Sequence, residues 1–326
     1  MCVYYTPQHP TFQEVKTIYM KKKMIFSGTA TALITPFKRG KIDYDALRKI
    51  IEWQIRSGLD ALVIGGTTGE AATLSDYERD KLYSFSAETV NRRVPLIFGT
   101  GSNDTKRAVR YTKRAKELGA DAALSVTPYY NKGTEDGLLL HYQKIANSTD
   151  LPTILYNVPS RTGVNLSISN IEKLCAEENI VAIKEASDSL DRLLELSKLA
   201  KELTLYSGND TQIYATLSLG GMGVISVLSN VCPHEVLDIT NAFWRGDAET
   251  SIALQRKISH KAHALFLETN PSPIKHAMSL LGYCSDEVRL PLCKPSKSTR
   301  QAIEKVFSET GKDDHVTQKT QASHEG

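Results

Sequence analysis

Ile180-Val181-Ala182-Ile183-Lys184-Glu185-Ala186-Ser187 decides the fold, because an unbroken run of four apolar residues ends on a lysine. Short Val/Ile runs without alternation are what strands covered on both faces show, as in a parallel sheet flanked by helices. A cation inside such a run would be buried at high cost. A cation at its C-terminal end is another matter, since in a barrel of parallel strands that end carries the active site. The stretch therefore suggests a buried parallel strand and a candidate catalytic lysine together. On this stretch alone, a salt bridge to a neighbouring carboxylate or a solvated strand end accounts for Lys184 equally well.

Outward from this strand the same alternation of short apolar runs and longer amphipathic segments recurs, eight strands in all. They are Gly28–Thr35, Ala61–Gly66, Pro95–Gly99, Ala122–Val126, Pro152–Tyr156, Ile180–Lys184, Leu203–Ser207 and Gly223–Leu228. Helix signals lie between them: Tyr44–Ser57 follows Asp43 as N-cap, and Arg107–Leu118 stops at Gly119. Alternation of this kind means parallel strands joined by right-handed crossovers. Its length predicts a (β/α)8 TIM barrel over 26–230. The segments Pro233–Trp244, Glu249–Phe266, Pro273–Leu281 and Lys297–Glu309 then read as a small C-terminal helical region over 231–310. No GxGxxG follows the first strand and no Walker loop is present, which removes support for a nucleotide site.

The composition is that of an ordinary globular chain with ample material for a large buried core, as one big domain or two medium ones. Of 326 residues, 41% are hydrophobic and 24% charged, with a net charge of +3 and no extended basic face. No nucleic-acid partner is expected, and no apolar run approaches the roughly 20 residues that span a bilayer. Five cysteines, Cys2, Cys175, Cys232, Cys284 and Cys293, form no CxxC pair, which suits a reduced, cytoplasmic protein without structural zinc. Residues 1–25 show neither a structural period nor a signal peptide and read as an N-terminal arm, with Met20 as an alternative start. The polar segment 311–326 reads as a disordered tail.

The strand ends supply candidate chemistry. Gly66-Thr67-Thr68-Gly69-Glu70 is a turn whose hydroxyls and N–H groups suit a carboxylate or phosphate, although a plain tight turn has the same sequence. Thr127-Pro128-Tyr129-Tyr130-Asn131 pairs two tyrosines, and Tyr156 and Arg161 flank a proline turn as a phenol and a carboxylate clamp. An ordinary lysine, with a pKa of about 10.4, is almost wholly protonated at neutral pH, but burial in a barrel mouth frees a useful fraction of the amine. Such an amine forms an imine with a ketone, and the imine yields an enamine that attacks an aldehyde without metal or cofactor.

GTTGE at 66–70, TPYYN at 127–131, YNVPSRTG at 156–163, IVAIKEA at 180–186, SGND at 207–210 and GVISV at 223–227 together resemble the 4-hydroxy-tetrahydrodipicolinate (dihydrodipicolinate) synthase family of pyruvate-dependent Schiff-base lyases. The resemblance spans about 26–310. It implies that Lys184 forms the imine with pyruvate and that Tyr156 relays protons with Thr67 and with Tyr130 of a neighbouring subunit. Thr68 and Ile225 would hold the pyruvate end, Gly208 would line the pocket, and Arg161 would grip the carboxylate of L-aspartate 4-semialdehyde. It further implies a homotetramer built as a dimer of dimers, no cofactor and no metal. A sugar-acid aldolase or N-acetylneuraminate lyase, and a non-catalytic binding barrel, are the alternative readings. Arg161 speaks against the first, and the complete set of site residues against the second.

Members of this family that respond to lysine bind it at a subunit interface. At the matching positions this chain keeps Asn103 but has Arg107, Arg79 and Ala71. Two added cations near an ammonium ligand cost about 1 kcal/mol each at 4 Å even in water. Weak or absent lysine inhibition is therefore expected. His141, His234, His260, His263 and His276 show no metal-ligand spacing, Trp53 and Trp244 read as packing, and Lys275 lies in a proline-led helix start rather than at a strand end.

Overall fold

The computed structural model describes residues 22–307. The expectations for the tail 311–326, and for the arm 1–25 apart from its last four residues, fall outside that range. Eight strands close into a barrel: β1 (Gly28–Ala32), β2 (Ala61–Ile64), β3 (Leu96–Gly99), β4 (Ala122–Val126), β5 (Thr153–Asn157), β6 (Ile180–Glu185), β7 (Thr204–Ser207) and β8 (Gly223–Ser226). Every neighbouring pair is parallel, and β1 closes the ring by pairing Gly28 with Gly223 and Ala30 with Ala61. Each expected strand is found: Ala122–Val126 as expected, β6 one residue longer, β5 shifted by one, and the others shorter by one to three residues. Small residues such as Ala30, Ala61, Ala122 and Ala182 face the interior, where the barrel is narrow. Leu155, Ile183 and Leu205 face outward against the helices. Both faces are thus buried, which is why the strands read as unbroken apolar runs.

The helices begin where their caps stand. In α1 (Tyr44–Arg56) Asp43 accepts from the Ala46 N–H, and Ser75 with Glu78 forms a capping box at α2 (Asp76–Val90). Asp104 caps α3 (Thr105–Glu117), which starts two residues before the expected Arg107 for that reason. There follow α4 (Glu135–Ala146), α5 (Ile168–Leu174), α6 (Leu190–Ser197), α7 (Ile213–Ser218), α8 (Pro233–Trp244), α9 (Ala248–Ala264), α10 (Ser272–Leu280) and α11 (Lys297–Phe307). A ribbon of Phe37–Lys38 against Lys41–Ile42 was not expected; Arg39 and Gly40 at its tip both have positive φ, as a two-residue hairpin requires. Trp53 stacks on Tyr283 at 4.2 Å, the packing role expected for it.

The C-terminal helices are clasped to the barrel mouth through Glu70. Lys275 of α10, fully buried, lies 2.5 Å from the Glu70 carboxylate and donates to the Glu287 carbonyl at 2.8 Å. Burial lowers the Lys275 pKa, and Glu70 opposes that shift. The Arg289 N–H donates to the other Glu70 oxygen at 3.0 Å, while its guanidinium reaches Glu78 at 2.5 Å and the Thr73 carbonyl at 3.0 Å. At the opposite end, Lys22 donates to the carbonyls of Cys175, Glu177 and Ile180 at 2.6, 2.7 and 2.8 Å, joining the end of α5 to the start of β6. Tyr206 packs inside the barrel, stacked on Phe26 at 4.2 Å and donating to its carbonyl at 2.7 Å.

His141 on α4 is buried with only its Nδ1 bonded, to Thr105 Oγ1 at 2.9 Å, and burial lowers its pKa to about 4. Its folded pKa lies below the unfolded value, so the unfolded chain takes up the proton first as pH falls, and stability drops between about pH 6.5 and 4. His141→Leu is expected to remove about 2–3 kcal/mol of that acid-induced loss, measured as unfolding free energy at pH 7 and pH 4.

Candidate active site

The register of three strands places the chemistry. Tyr156 on β5, Lys184 on β6 and Tyr206 on β7 are Cα partners across the sheet and face inward together. A β-bulge makes this possible: Thr153 pairs with Ile180, but the next residue, Ile154, pairs with Ala182. Val181 is the extra residue, and both it and Ala182 point into the barrel. Strict alternation counted from Ile180 would turn Ile183 inward and Lys184 outward among the helices. The bulge re-aims the lysine, a use bulges commonly serve beside functional sites.

Lys184 is 4% exposed, with Nζ 4.5 Å from the Tyr156 ring centroid. Among the described residues no carboxylate lies within ion-pair distance of it. The obvious candidate, Glu185, turns the other way. It is fully buried and accepts from Arg192 Nε at 2.7 Å, from Asn157 Nδ2 at 2.9 and 3.1 Å and from the Ser187 N–H at 2.9 Å. The salt-bridge and solvated-end readings of Lys184 are both set aside by this arrangement. Of the two tyrosines level with the lysine, Tyr206 spends its hydroxyl on Phe26, whereas the Tyr156 hydroxyl bonds to no protein group among the described residues.

A cavity of about 990 Å³ opens above the lysine, and six of the eight residues singled out from sequence line it: Thr67, Thr68, Tyr156, Arg161, Lys184 and Gly208. In the 66–70 turn, the N–H groups of Gly69 and Ala71 bond to the Gly66 carbonyl and that of Glu70 to the Thr67 carbonyl. The N–H groups of Thr67 and Thr68 have no protein acceptor among the described residues, which leaves them for an anionic ligand. Gly208 is required for space: a Cβ there would stand 2.6 Å from Ala186 Cβ, 2.9 Å from the Glu185 carbonyl and 3.0 Å from Lys184 Cε. Arg161 sits on the short helical turn Pro159–Thr162 at the mouth.

Two of the eight lie elsewhere. Ile225 is fully buried within β8 and contributes its side chain to the interior core. Tyr130 is 88% exposed, with φ of +73°, and stands outside the cavity. No hydrogen bond joins Tyr156 to Thr67 among the described residues. Arg79 is buried, donating to Ala71 O at 2.9 Å and Gly99 O at 3.2 Å, and with Arg107 and Tyr129 it lines a second cavity of about 390 Å³.

Three groups escaped sequence reading. Asn270 donates from Nδ2 to Thr68 Oγ1 at 3.0 Å, and its carbonyl accepts from Arg161 Nη2 at 3.1 Å, so it links the turn to the arginine. Asp210 is fully buried and accepts from Ser226 Oγ at 2.5 Å and from the N–H groups of Val227 and Leu228 at 3.0 and 2.9 Å. Burial raises its pKa, opposed by the bonds from Ser226, Leu228 and Val227 and then by the charge of Lys184. Arg192 fixes Glu185. Only the SGND run around Asp210 carried a signal that could have found any of them.

A buried, unpaired lysine at a strand's C-terminal end, level with a free phenol and beneath free N–H donors, defines a class I aldolase-type lyase acting through a Schiff base. Residues 25–310 match the model of the Dihydrodipicolinate synthetase family. The chain is 42% identical over 289 residues to the 4-hydroxy-tetrahydrodipicolinate synthase of Clostridium novyi (strain NT), covering 88% of this chain and 98% of that one. It is 45% identical to the synthase of that name from Geobacter sulfurreducens, covering 87% and 99%. A solved structure of the chloride-inhibited dihydrodipicolinate synthase from Acinetobacter baumannii complexed with pyruvate superposes with a TM-score of 0.86 at 39% identity, covering 88% and 99%. The chain belongs to the dihydrodipicolinate synthetase family.

Proposed function

We propose that the protein condenses pyruvate with L-aspartate 4-semialdehyde to 4-hydroxy-tetrahydrodipicolinate, a step of lysine and diaminopimelate biosynthesis. The Lys184 amine attacks C2 of pyruvate and water leaves, giving the imine. Tyr156 takes a proton from C3, and the resulting enamine carbon attacks the aldehyde. Tyr156 returns a proton to the new alkoxide. The amine of the second substrate then closes the ring on C2 and displaces Lys184, so that one water is lost overall. Thr67 serves the proton relay, Thr68 with its free N–H holds the pyruvate carboxylate, and Arg161 holds that of the aldehyde. Gly208 gives the lysine room, and Ile225 closes the pyruvate end through its backbone.

The observation that carries this reading is Lys184 buried without an anionic partner, in register with Tyr156. Borohydride reduction with pyruvate, followed by peptide mass analysis, tests it: a pyruvate-derived adduct on Lys184 is expected. A folded sample that gives none overturns it in favour of a non-catalytic barrel. An adduct without consumption of the semialdehyde would point to a sugar-acid aldolase or neuraminate lyase instead.

The exposed Tyr130 supports a further part of the proposal, a second copy whose Tyr130 completes the relay, within a tetramer of two such dimers. The barrel of 26–230 and the helices of 231–310 act in it as one unit, because Asn270 and Glu70 tie them at the site. Lysine regulation follows from the smaller cavity. Arg79 is bound to protein carbonyls, but Arg107 faces the space, where it repels an ammonium ligand. Activity in low-millimolar lysine is expected to stay above half, measured under saturating pyruvate; half-inhibition there would contradict it.

A further inference from the structure

The cavity mouth offers an α-amino acid two charged holds, and only one has been assigned. Arg161 accounts for a carboxylate. The aldehyde of the proposed reaction also carries an α-ammonium, and three carboxylates line the cavity: Asp188, Asp210 and Glu268. Two are already engaged. Asp210 is fully buried, with both oxygens held by Ser226, Val227 and Leu228. Glu268 accepts from the Ser296 N–H at 3.0 Å, and its hydrogen bonds with Ser296 and Thr299 lower its pKa. Asp188, four residues beyond Lys184 on the loop after β6, is different. One oxygen receives a long contact from Asn209 Nδ2 at 3.3 Å, and the other has no partner among the described residues.

Asn209 also fixes this loop. Its Nδ2 donates to the Ser187 carbonyl at 3.0 Å, tying the loop after β6 to the loop after β7 just before Asp188. Asp188 and Arg161 are both exposed at the mouth, while Lys184 is buried at the base. A zwitterion entering aldehyde-first therefore meets a cation and an anion at the rim and the enamine formed on Lys184 beneath.

We infer that Asp188 is a specificity residue that receives the α-ammonium of the aldehyde substrate, so that the site selects α-amino aldehydes over their deaminated analogues. The inference rests on the condensation proposed above. Its test compares L-aspartate 4-semialdehyde with succinate semialdehyde, the same skeleton with hydrogen in place of the ammonium, each with pyruvate. Asp188→Asn is expected to raise KM for aspartate semialdehyde by about ten-fold or more while kcat and the pyruvate KM hold. The low efficiency with succinate semialdehyde should not change, and Asp188→Glu should recover part of the loss. An unchanged KM for aspartate semialdehyde in Asp188→Asn overturns the inference, as does an equal loss with both aldehydes, which would mark a structural role. Wild-type protein that forms the Lys184 adduct yet leaves aspartate semialdehyde unconsumed overturns the condensation as well.

Discussion

Lys184→Met is expected to lower kcat/KM for the condensation by on the order of 10⁴ or more, and to abolish the borohydride-trapped adduct, because it removes the amine proposed to form the covalent intermediate. Among the described residues the other buried lysine, Lys275, is held by Glu70 and the Glu287 carbonyl and presents no free amine. Tyr156→Phe should separate the two halves of the chemistry. It removes the proton relay, at a cost of about 10²–10⁴ in rate, but leaves the amine in place, so the adduct should still form, more slowly. A Lys184→Met protein that kept even a hundredth of the activity would mean that the imine forms elsewhere. The variant is expected to fold, since Lys184 makes no ion pair among the described residues.

Lys275→Met carries the opposite profile. Removing one member of a buried pair leaves the other charged and desolvated, which costs about 3–5 kcal/mol. In a chain of this size that corresponds to a fall in Tm of roughly 5 °C. The double replacement Glu70→Gln, Lys275→Met should regain most of the loss, because it removes the stranded charge while keeping an acceptor for the Arg289 N–H. Activity per folded molecule should also fall in the single variant, since Glu70 closes the turn that carries Thr67 and Thr68. A single variant within about 1 kcal/mol of the parent would show that the clasp contributes little.

The barrel was legible in the sequence because each strand is covered on both faces, and double burial writes itself as an apolar run. The strand-end residues were legible for a related reason: polar groups such as Lys184 and Arg161 stand where the runs stop. What could not be read were contacts between distant segments. Asn270 meets Thr68 across 202 positions, and Arg289 meets Glu70 across 219. Neither has a local pattern. Lys275 showed the same limit in reverse, as a lysine of unknown purpose until its carboxylate was found. The Phe37–Ile42 ribbon was too short for alternation to register, and its one cue was Arg39-Gly40.

Val181 has a consequence for how this strand tolerates genetic change. Four consecutive apolar residues conceal which of them point inward, so the identity of each matters less than their number. Losing Val181 would restore strict alternation and leave the amine facing the interior at its present level. Gaining one residue before Lys184 would oblige the sheet to accommodate a second surplus residue or rotate the amine out among the helices. The position thus tolerates the loss of one residue from the run but not the gain of one, and a single-codon insertion here threatens more than most substitutions in the same strand.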